Sequence, residues 1–313
     1  MTFEKQVKNL LASDTVEFRF RNMDHEIPVR FKSGPSGCKT LLILFHGAID
    51  RVSREVPAFV PFIPELDSVT HQLAVSDPTM LTGSNFSMSW YAGHDGFPSQ
   101  KILRELFDAI CVALNIERTI YFGTSGGGFA ALYYSWHHPD SVAIVGNPQT
   151  KITDYYPRHV ENYRSSCWSE TAEANELLQC VTGDVRQLYA DQVPNFVVYV
   201  QSSTDSFHIK NHMVPFFSAV PYKKDMRIIL NVGFFGKFGH SPSFEAYAPW
   251  IRSAIVCSAI GSEELIRTHS LLAGVRSADA PPKTEASSKL WGKTDIELAT
   301  VLKSHMLSKD RKS

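Results

Sequence analysis

With 313 residues, 43% of them hydrophobic and 20% charged, the chain has the size and composition of one large globular domain, or of one domain with an elaborated tail. A formal net charge of −1 argues against any overall electrostatic pull toward nucleic acid or anionic membrane. Five scattered cysteines (Cys38, Cys111, Cys167, Cys180 and Cys257) show no CxxC spacing, which argues against a zinc ribbon or a disulfide framework.

The cysteines read as buried free thiols of a cytoplasmic protein. The opening Met-Thr-Phe-Glu-Lys lacks a basic stretch followed by an apolar one, so no secretory leader is expected. No apolar run approaches the length of a membrane span, so no membrane insertion is expected either.

In chain order, the alternating stretches Val16–Phe20 and Ile27–Phe31 predict an antiparallel strand pair. Thr40–Phe45 is continuously apolar, as a strand buried on both faces of a parallel sheet should be, and stops at His46-Gly47-Ala48. A short strand is expected at Gln72–Ser76. Ile102, Leu103, Leu106, Phe107, Ile110, Cys111 and Leu114 share one helical stripe, with Ser99 as the expected N-cap.

Thr119–Phe122 reads as a strand that runs straight into Gly123-Thr124-Ser125-Gly126-Gly127-Gly128, followed by the apolar helix Phe129–Trp136. Val142–Val145 predicts the next strand. Residues 149 to about 192 are polar and dotted with aromatics, and read as a helical lid insertion. Strands resume at Phe196–Val200 and Met226–Val232, and a helix over Phe244–Ile260 closes the body, with Gly261 as its stop.

Strands alternating with helices imply a mostly parallel central sheet flanked by helices on both faces, a three-layer α/β architecture over residues 1–261. Residues 262–313 are expected to form a C-terminal linker and helical tail. Its linker is the Pro- and Ser-containing stretch 275–293, and its last helix starts at a Thr294/Glu297 capping box and runs to about Met306. Ile296, Ala299, Leu302 and Met306 share a stripe, which suits a solvated appendage or a contact with a second copy or another subunit.

Gly123-Thr124-Ser125-Gly126-Gly127 matches G-x-S-x-G. At about 7% glycine the pentapeptide arises by chance in roughly one chain in ten of this length, so its context decides. An apolar strand before it and a buried helix after it describe a nucleophile elbow, in which a strained turn lifts the Ser125 hydroxyl above the sheet. The rival, a glycine-rich phosphate turn, lacks the P-loop lysine and the G-x-G-x-x-G spacing.

A serine nucleophile needs a base, and the base needs an orienting carboxylate. His240 lies after the strand ending at Val232, and Asp205 lies a short turn after Phe196–Val200. Their chain order, Ser125, Asp205, His240, is the one expected on this scaffold. The oxyanion donors are expected to be the N–H groups of Gly126 and Ala48.

On these residues the chain resembles the α/β-hydrolase superfamily over roughly residues 15–260. The matching strings are LFHGA at 44–48, YFGTSGGGFAALYY at 121–134 and HPDSVAIVGNP at 138–148, with Asp205 and Gly239-His240. The elbow running into Ala-Ala-Leu-Tyr-Tyr, with Asn-Pro-Gln after the next strand, is also similar to hydrolase-like proteins of bacterial polysaccharide and glycoprotein assembly. The resemblance implies the α/β-hydrolase fold and a serine ester hydrolase or acyltransferase, some relatives moving acetyl groups to or from sugars.

The expected chemistry is acyl transfer from an ester or thioester through an acyl-Ser125 intermediate, with no cofactor. Expected partners are a small-molecule or glycan acyl ester, and no nucleic acid. His46, Trp90, Tyr91, Tyr155 and Tyr156 are candidates to line the substrate cleft, His46 also as a shaper of the oxyanion turn. With His94, Asp95, Arg158, Tyr163 and Trp168, the aromatic members of this set could form a polar, aromatic-lined cleft suited to a sugar, or else pack the lid onto the body. A metal site at His208 and His212, four apart, is disfavoured, because no H-E-x-x-H glutamate lies between them. Asp184 is a rival acid, though it lies inside the insertion. A different class of function remains open, a non-catalytic subunit of a glycan-assembly or secretion complex that uses the fold as a platform.

Overall fold

The computed structural model describes residues 2–13, 16–221, 227–235, 238–240 and 242–279. Its eight strands are β1 (Glu17–Asn22), β2 (His25–Lys32), β3 (Thr40–Phe45), β4 (His71–Val75), β5 (Arg118–Thr124), β6 (Val142–Gly146), β7 (Phe196–Ser202) and β8 (Ile228–Gly233). They form one sheet in the order β1-β2-β4-β3-β5-β6-β7-β8. β1–β2 and β2–β4 pair antiparallel, and every other pair is parallel.

The helices are α1 (Phe3–Leu11), α2 (Ser99–Leu114), α3 (Gly126–Trp136), α4 (Pro157–Cys167), α5 (Leu177–Cys180), α6 (Val185–Asp191), α7 (Ser206–His208), α8 (Val214–Ala219), α9 (Ala248–Val256) and α10 (Ser262–Asp279). Alternation along β3 sorts the layers. Leu41, Ile43 and Phe45 join the core that holds Leu10 of α1, Leu103, Leu106 and Phe107 of α2, and Ala130 and Leu132 of α3. Leu42 and Leu44 join the opposite core with Ile251 and Ala254 of α9 and Leu265 of α10. Helices therefore cover both faces, the arrangement that a continuous apolar strand requires.

Several boundaries differ from the sequence expectation for local reasons. Ser99 is the first residue of α2 and not its cap: Pro98 holds the cap position, and Ser99 Oγ lies 3.4 Å from Thr79 Oγ1. The closing helix is only Ala248–Val256, preceded by a 3-10 turn over Phe244–Ala246, and it stops at an extended Cys257 before Gly261 is reached. α10 then packs onto α9, with Leu265 fully buried and His269 stacked on Trp250 at 3.8 Å. The expected linker therefore starts inside α10, and the rest of it, with the Thr294–Met306 helix, lies outside the described residues. All five cysteines are free, as expected, but Cys180 is exposed. Among the described residues, no helix is long and apolar enough to cross a membrane.

Candidate active site

The carboxyl ends of β3, β5, β6 and β7, with the loop after β8, carry the residues of interest. β5 ends at Thr124, and Ser125 follows with φ 56° and ψ −122°. That backbone region is costly for a residue with a Cβ, and strain of this kind persists only where the surroundings hold it. Here Ser125 N donates to Gly146 O at 2.9 Å, and Ser125 O accepts from Phe129 N and Gln149 N, each at 3.1 Å. The turn is possible because α3 begins without side chains. A Cβ on Gly127 would lie 2.5 Å from Phe45 O and 2.7 Å from His46 O.

The turn after β3 lies directly against this elbow. A Cβ on Gly47 would stand 3.5 Å from Ser125 Cβ, and Ala48 beside it is exposed. Among the described residues, no hydrogen bond occupies the N–H of Ala48 or of Gly126. Gly126 follows Ser125 directly, and Ala48 follows Gly47 on the turn that meets it.

His46 builds that turn from within. Its Nε2 accepts from Asp77 N at 3.1 Å, so its hydrogen sits on Nδ1, which donates to Gly47 O at 2.7 Å. Burial pushes its pKa down to about 4, and the ring stays neutral. Tyr91 is 1% exposed; its hydroxyl donates to Val75 O and accepts from His46 N, both at 2.9 Å. Asp77 completes the network by accepting from Ser89 Oγ and Tyr91 N, each at 2.7 Å. Burial nevertheless pushes the Asp77 carboxyl up to about 6. His46 and Tyr91 are therefore buried in the hydrogen-bond network of the turn.

Trp90 is also buried, but it reaches Ser125 through Gln149, a residue that no sequence motif marks. Trp90 Nε1–H donates to Gln149 Oε1, and Gln149 Nε2 donates to Ser125 Oγ at 3.0 Å. Indole N–H is a donor only, which sets the Gln149 amide orientation. With Gln149 donating to its oxygen, the Ser125 hydroxyl keeps its own hydrogen for another acceptor. Tyr155 stands beside them; burial raises its hydroxyl pKa first, then the neighbouring Tyr156 and Asp205, while interaction with Ser125 lowers it. Tyr156 is 44% exposed and stacks on Phe207 at 4.0 Å.

Beyond β7, Asp205 caps α7 by accepting from His208 N at 3.1 Å. Its Oδ2 lies 2.7 Å from His240 Nδ1, and its Oδ1 lies 3.1 Å from His208 Nδ1. Burial raises the Asp205 carboxyl, but hydrogen bonds from His208 and His240 outweigh it and hold the group well below the usual carboxylate range. His240 is anchored through its chain: Asn147 Nδ2 donates to His240 O, and Gly239 N donates to Thr204 Oγ1 at 2.9 Å. Asn147, at φ 39°, accepts from Ser202 N with its Oδ1 at 2.7 Å, so one side chain ties β6, β7 and the His240 loop together.

Asp205, His208 and His240 bring one potential metal-ligand atom each to within 4.8 Å of one another, and the two Nδ1–carboxylate hydrogen bonds already account for that closeness. The His208/His212 pair weighed from sequence divides, since His212 Nδ1 accepts from Thr150 N at 3.2 Å. Asp184 is engaged elsewhere, capping α6 and pairing with Arg186 at 2.7 Å. His94 and Trp168 line a separate cavity of ≈ 750 Å³ beside α2 and α5, which contains none of Ser125, Asp205 and His240. Tyr163 is fully buried, donating to Gly93 O at 2.7 Å.

No family profile matches the chain, and no curated protein sequence does. Solved structures do. A mutant capsule O-acetyltransferase of Neisseria meningitidis serogroup A, in complex with CoA, aligns with a TM-score of 0.53 at 13% identity, over 80% of this chain and 99% of that one. The glycosylation-associated Gap123 complex of Streptococcus agalactiae aligns with a TM-score of 0.51 at 13% identity, over 84% of this chain and 47% of that one. An acylaminoacyl peptidase of Pyrococcus horikoshii aligns with a TM-score of 0.50 at 14% identity, over 86% of this chain and 43% of that one. The chain has the α/β-hydrolase fold that these structures share.

Proposed function

We propose that the chain is a serine-dependent acyl-transfer enzyme that takes an acyl group from an ester or thioester onto Ser125. One observation carries the reading: at the end of the sheet where Ser125 sits on a strained elbow, the Asp205 carboxylate receives His240 Nδ1 at 2.7 Å. With Nδ1 holding the hydrogen, His240 Nε2 is a free base.

In the proposed mechanism, Ser125 Oγ attacks the acyl carbonyl while its proton passes to His240 Nε2. Asp205 holds the imidazole tautomer and stabilises the imidazolium. The N–H groups of Ala48 and Gly126 receive the oxyanion. Collapse expels the alcohol or thiol, which takes the proton back from His240. Water or a sugar hydroxyl then attacks acyl-Ser125, with His240 again the base. The helical segment 149–192 serves as the lid, with Gln149 and Tyr155 as its contacts to Ser125.

Transfer of an acyl group to a glycan is the form of this reaction favoured by the structural likeness to a capsule O-acetyltransferase in complex with CoA. CoA thioesters would then be the donors, and the fold would bring no resident cofactor of its own.

Intact-mass spectrometry after fluorophosphonate treatment tests the reading. An adduct is expected on the wild type and absent from Ser125→Ala and His240→Ala. No adduct on folded wild type would remove the catalytic reading and favour a non-catalytic platform. Acyl-ester and acyl-CoA donors, with and without sugar acceptors, then separate hydrolysis from transfer.

A further inference from the structure

We propose that His208 is a second imidazole on the triad carboxylate, a positioning residue that divides the charge of Asp205 and thereby sets how far into acid His240 can still act as a base. This inference rests on the triad reading above and concerns the regulation of that same site.

Asp205 serves two histidines at once. His240 Nδ1 approaches Oδ2 at 2.7 Å, and His208 Nδ1 straddles the carboxylate, 3.1 Å from Oδ1 and 2.9 Å from Oδ2. The two rings lie almost parallel, with centroids 4.1 Å apart and planes 24° apart. His208 is 2% exposed, whereas the side chain of His240 is 36% exposed. One imidazole therefore reaches solvent and the other is sealed behind it.

The sealed ring is held neutral by what surrounds it. Its Nδ1–H goes to Asp205, and its Nε2 is buried without a partner among the described residues. Protonation there would bury an unpaired N–H and place a cation against the His240 ring. Behind it stands His212, fully buried, with ring centroids 5.2 Å apart and its own Nε2 unpartnered. Burial pushes His212 down to about 3, so it supplies no charge near neutral pH. Tyr155 faces His208 at 6.0 Å between centroids, and Tyr199, with a hydroxyl that is buried and unpartnered, is the other titratable neighbour of Asp205. Arg186 is the nearby fixed cation, and its guanidinium is paired with Asp184 and Asp154.

A neutral donor on the carboxylate draws off part of the negative charge that Asp205 would otherwise offer to His240. The carboxylate still orients His240 but holds its imidazolium less tightly, so the free base persists to lower pH. His208 gains and loses no proton in this scheme, because the proton of Ser125 travels only to His240 Nε2. The same bond, with the helix cap from His208 N, prevents Asp205 from rotating away.

His208→Phe keeps a ring against His240 and removes the donor, while His208→Asn returns an N–H close to the position of Nδ1. The measurement is the rate of fluorophosphonate labelling of Ser125 from about pH 5 to about pH 9. The acid limb of H208F is expected about half to one pH unit higher than that of the wild type, the size of one hydrogen bond's influence. H208N is expected to restore most of the displacement. An unmoved limb in H208F, or equal displacement in H208F and H208N, would overturn the inference while leaving the triad standing. Absence of labelling in the wild type would instead remove the triad reading itself. Should H208F not fold, His208→Met, which also lacks the donor, is judged by the same limb.

Discussion

The two halves of the candidate site are built on opposite rules. On the elbow side, His46, Asp77, Tyr91, Trp90 and Gln149 are buried and each side-chain polar group has a partner. On the base side, His208 Nε2 and His212 Nε2 are buried with none. The difference follows from the work each half would do. Oxyanion donors and a nucleophile act best when they are already in place, which a closed hydrogen-bond network secures. A base must change its charge during turnover, and neutral imidazoles around it can adjust to that change at low cost.

The largest break in the elbow side is expected from Gly127→Ala. Its Cβ would meet the backbone oxygens of Phe45 and His46, and neither strand end can yield. A loss of about 3 kcal/mol or more is expected, with labelling of Ser125 abolished, as read by urea unfolding and intact mass.

Acid should next remove what the neutral His46 contributes to the same side. Because burial depresses His46 in the folded state, the unfolded chain binds the proton more readily between the two values. The stability from His46 is therefore complete above about 6.5 and is lost as pH falls toward about 4, up to about 3 kcal/mol in all. The raised Asp77 carboxyl gains stability with acid over much of the same window, so the signal lies in the difference: His46→Gln, which does not titrate, should gain in urea midpoint relative to the wild type as pH falls from about 6.5 to about 4.

Gln149 separates function from folding more finely. Gln149→Leu leaves the Trp90 N–H buried and unpaired, which should cost about 1–3 kcal/mol and slow labelling about tenfold. Adding Trp90→Phe removes the orphaned donor, so the double variant should recover stability in a double-mutant cycle without recovering labelling rate. Recovery of both would mean that Gln149 supports only Trp90.

The smallest expected effect sharpens the comparison at Ser125 itself. Ser125→Ala keeps the unfavourable φ of 56°, whereas Ser125→Gly relieves it. The glycine variant should be about 1 kcal/mol more stable than the alanine variant by thermal unfolding. Equal stability would show that the elbow holds no strain.

Much of this molecule is legible from local pattern. The runs Thr40–Phe45 and Phe196–Val200 announce buried strands because nothing polar interrupts them, and Gly127 announces a turn because no side chain fits between α3 and the end of β3. Asp205 and His240 could be placed beside strand ends, since chain order on a parallel sheet brings those ends to one edge. Other features carry no local signal. Tyr91 and His46 read as cleft residues because aromatics and histidines suit both clefts and cores, and only burial shows that they brace a turn. Gln149 and Asn147 lay within a noted string, yet nothing in Asn-Pro-Gln says that one amide reaches Ser125 and the other the His240 backbone.

The sequence by itself determined the strands of the sheet, the helices α2 and α3, the alternation that makes most of the sheet parallel, and the elbow whose glycines leave room for a strained serine. These are short-range consequences of side-chain volume, periodicity and backbone freedom. The tertiary structure alone decided that His208 shares Asp205 with His240, that Trp90 acts on Ser125 through Gln149, and that Asp184 is tied to Arg186 away from the site. Such pairings join residues that are distant in the chain or ambiguous in register, and hydrogen-bond geometry exists only once the sheet has brought their strand ends together.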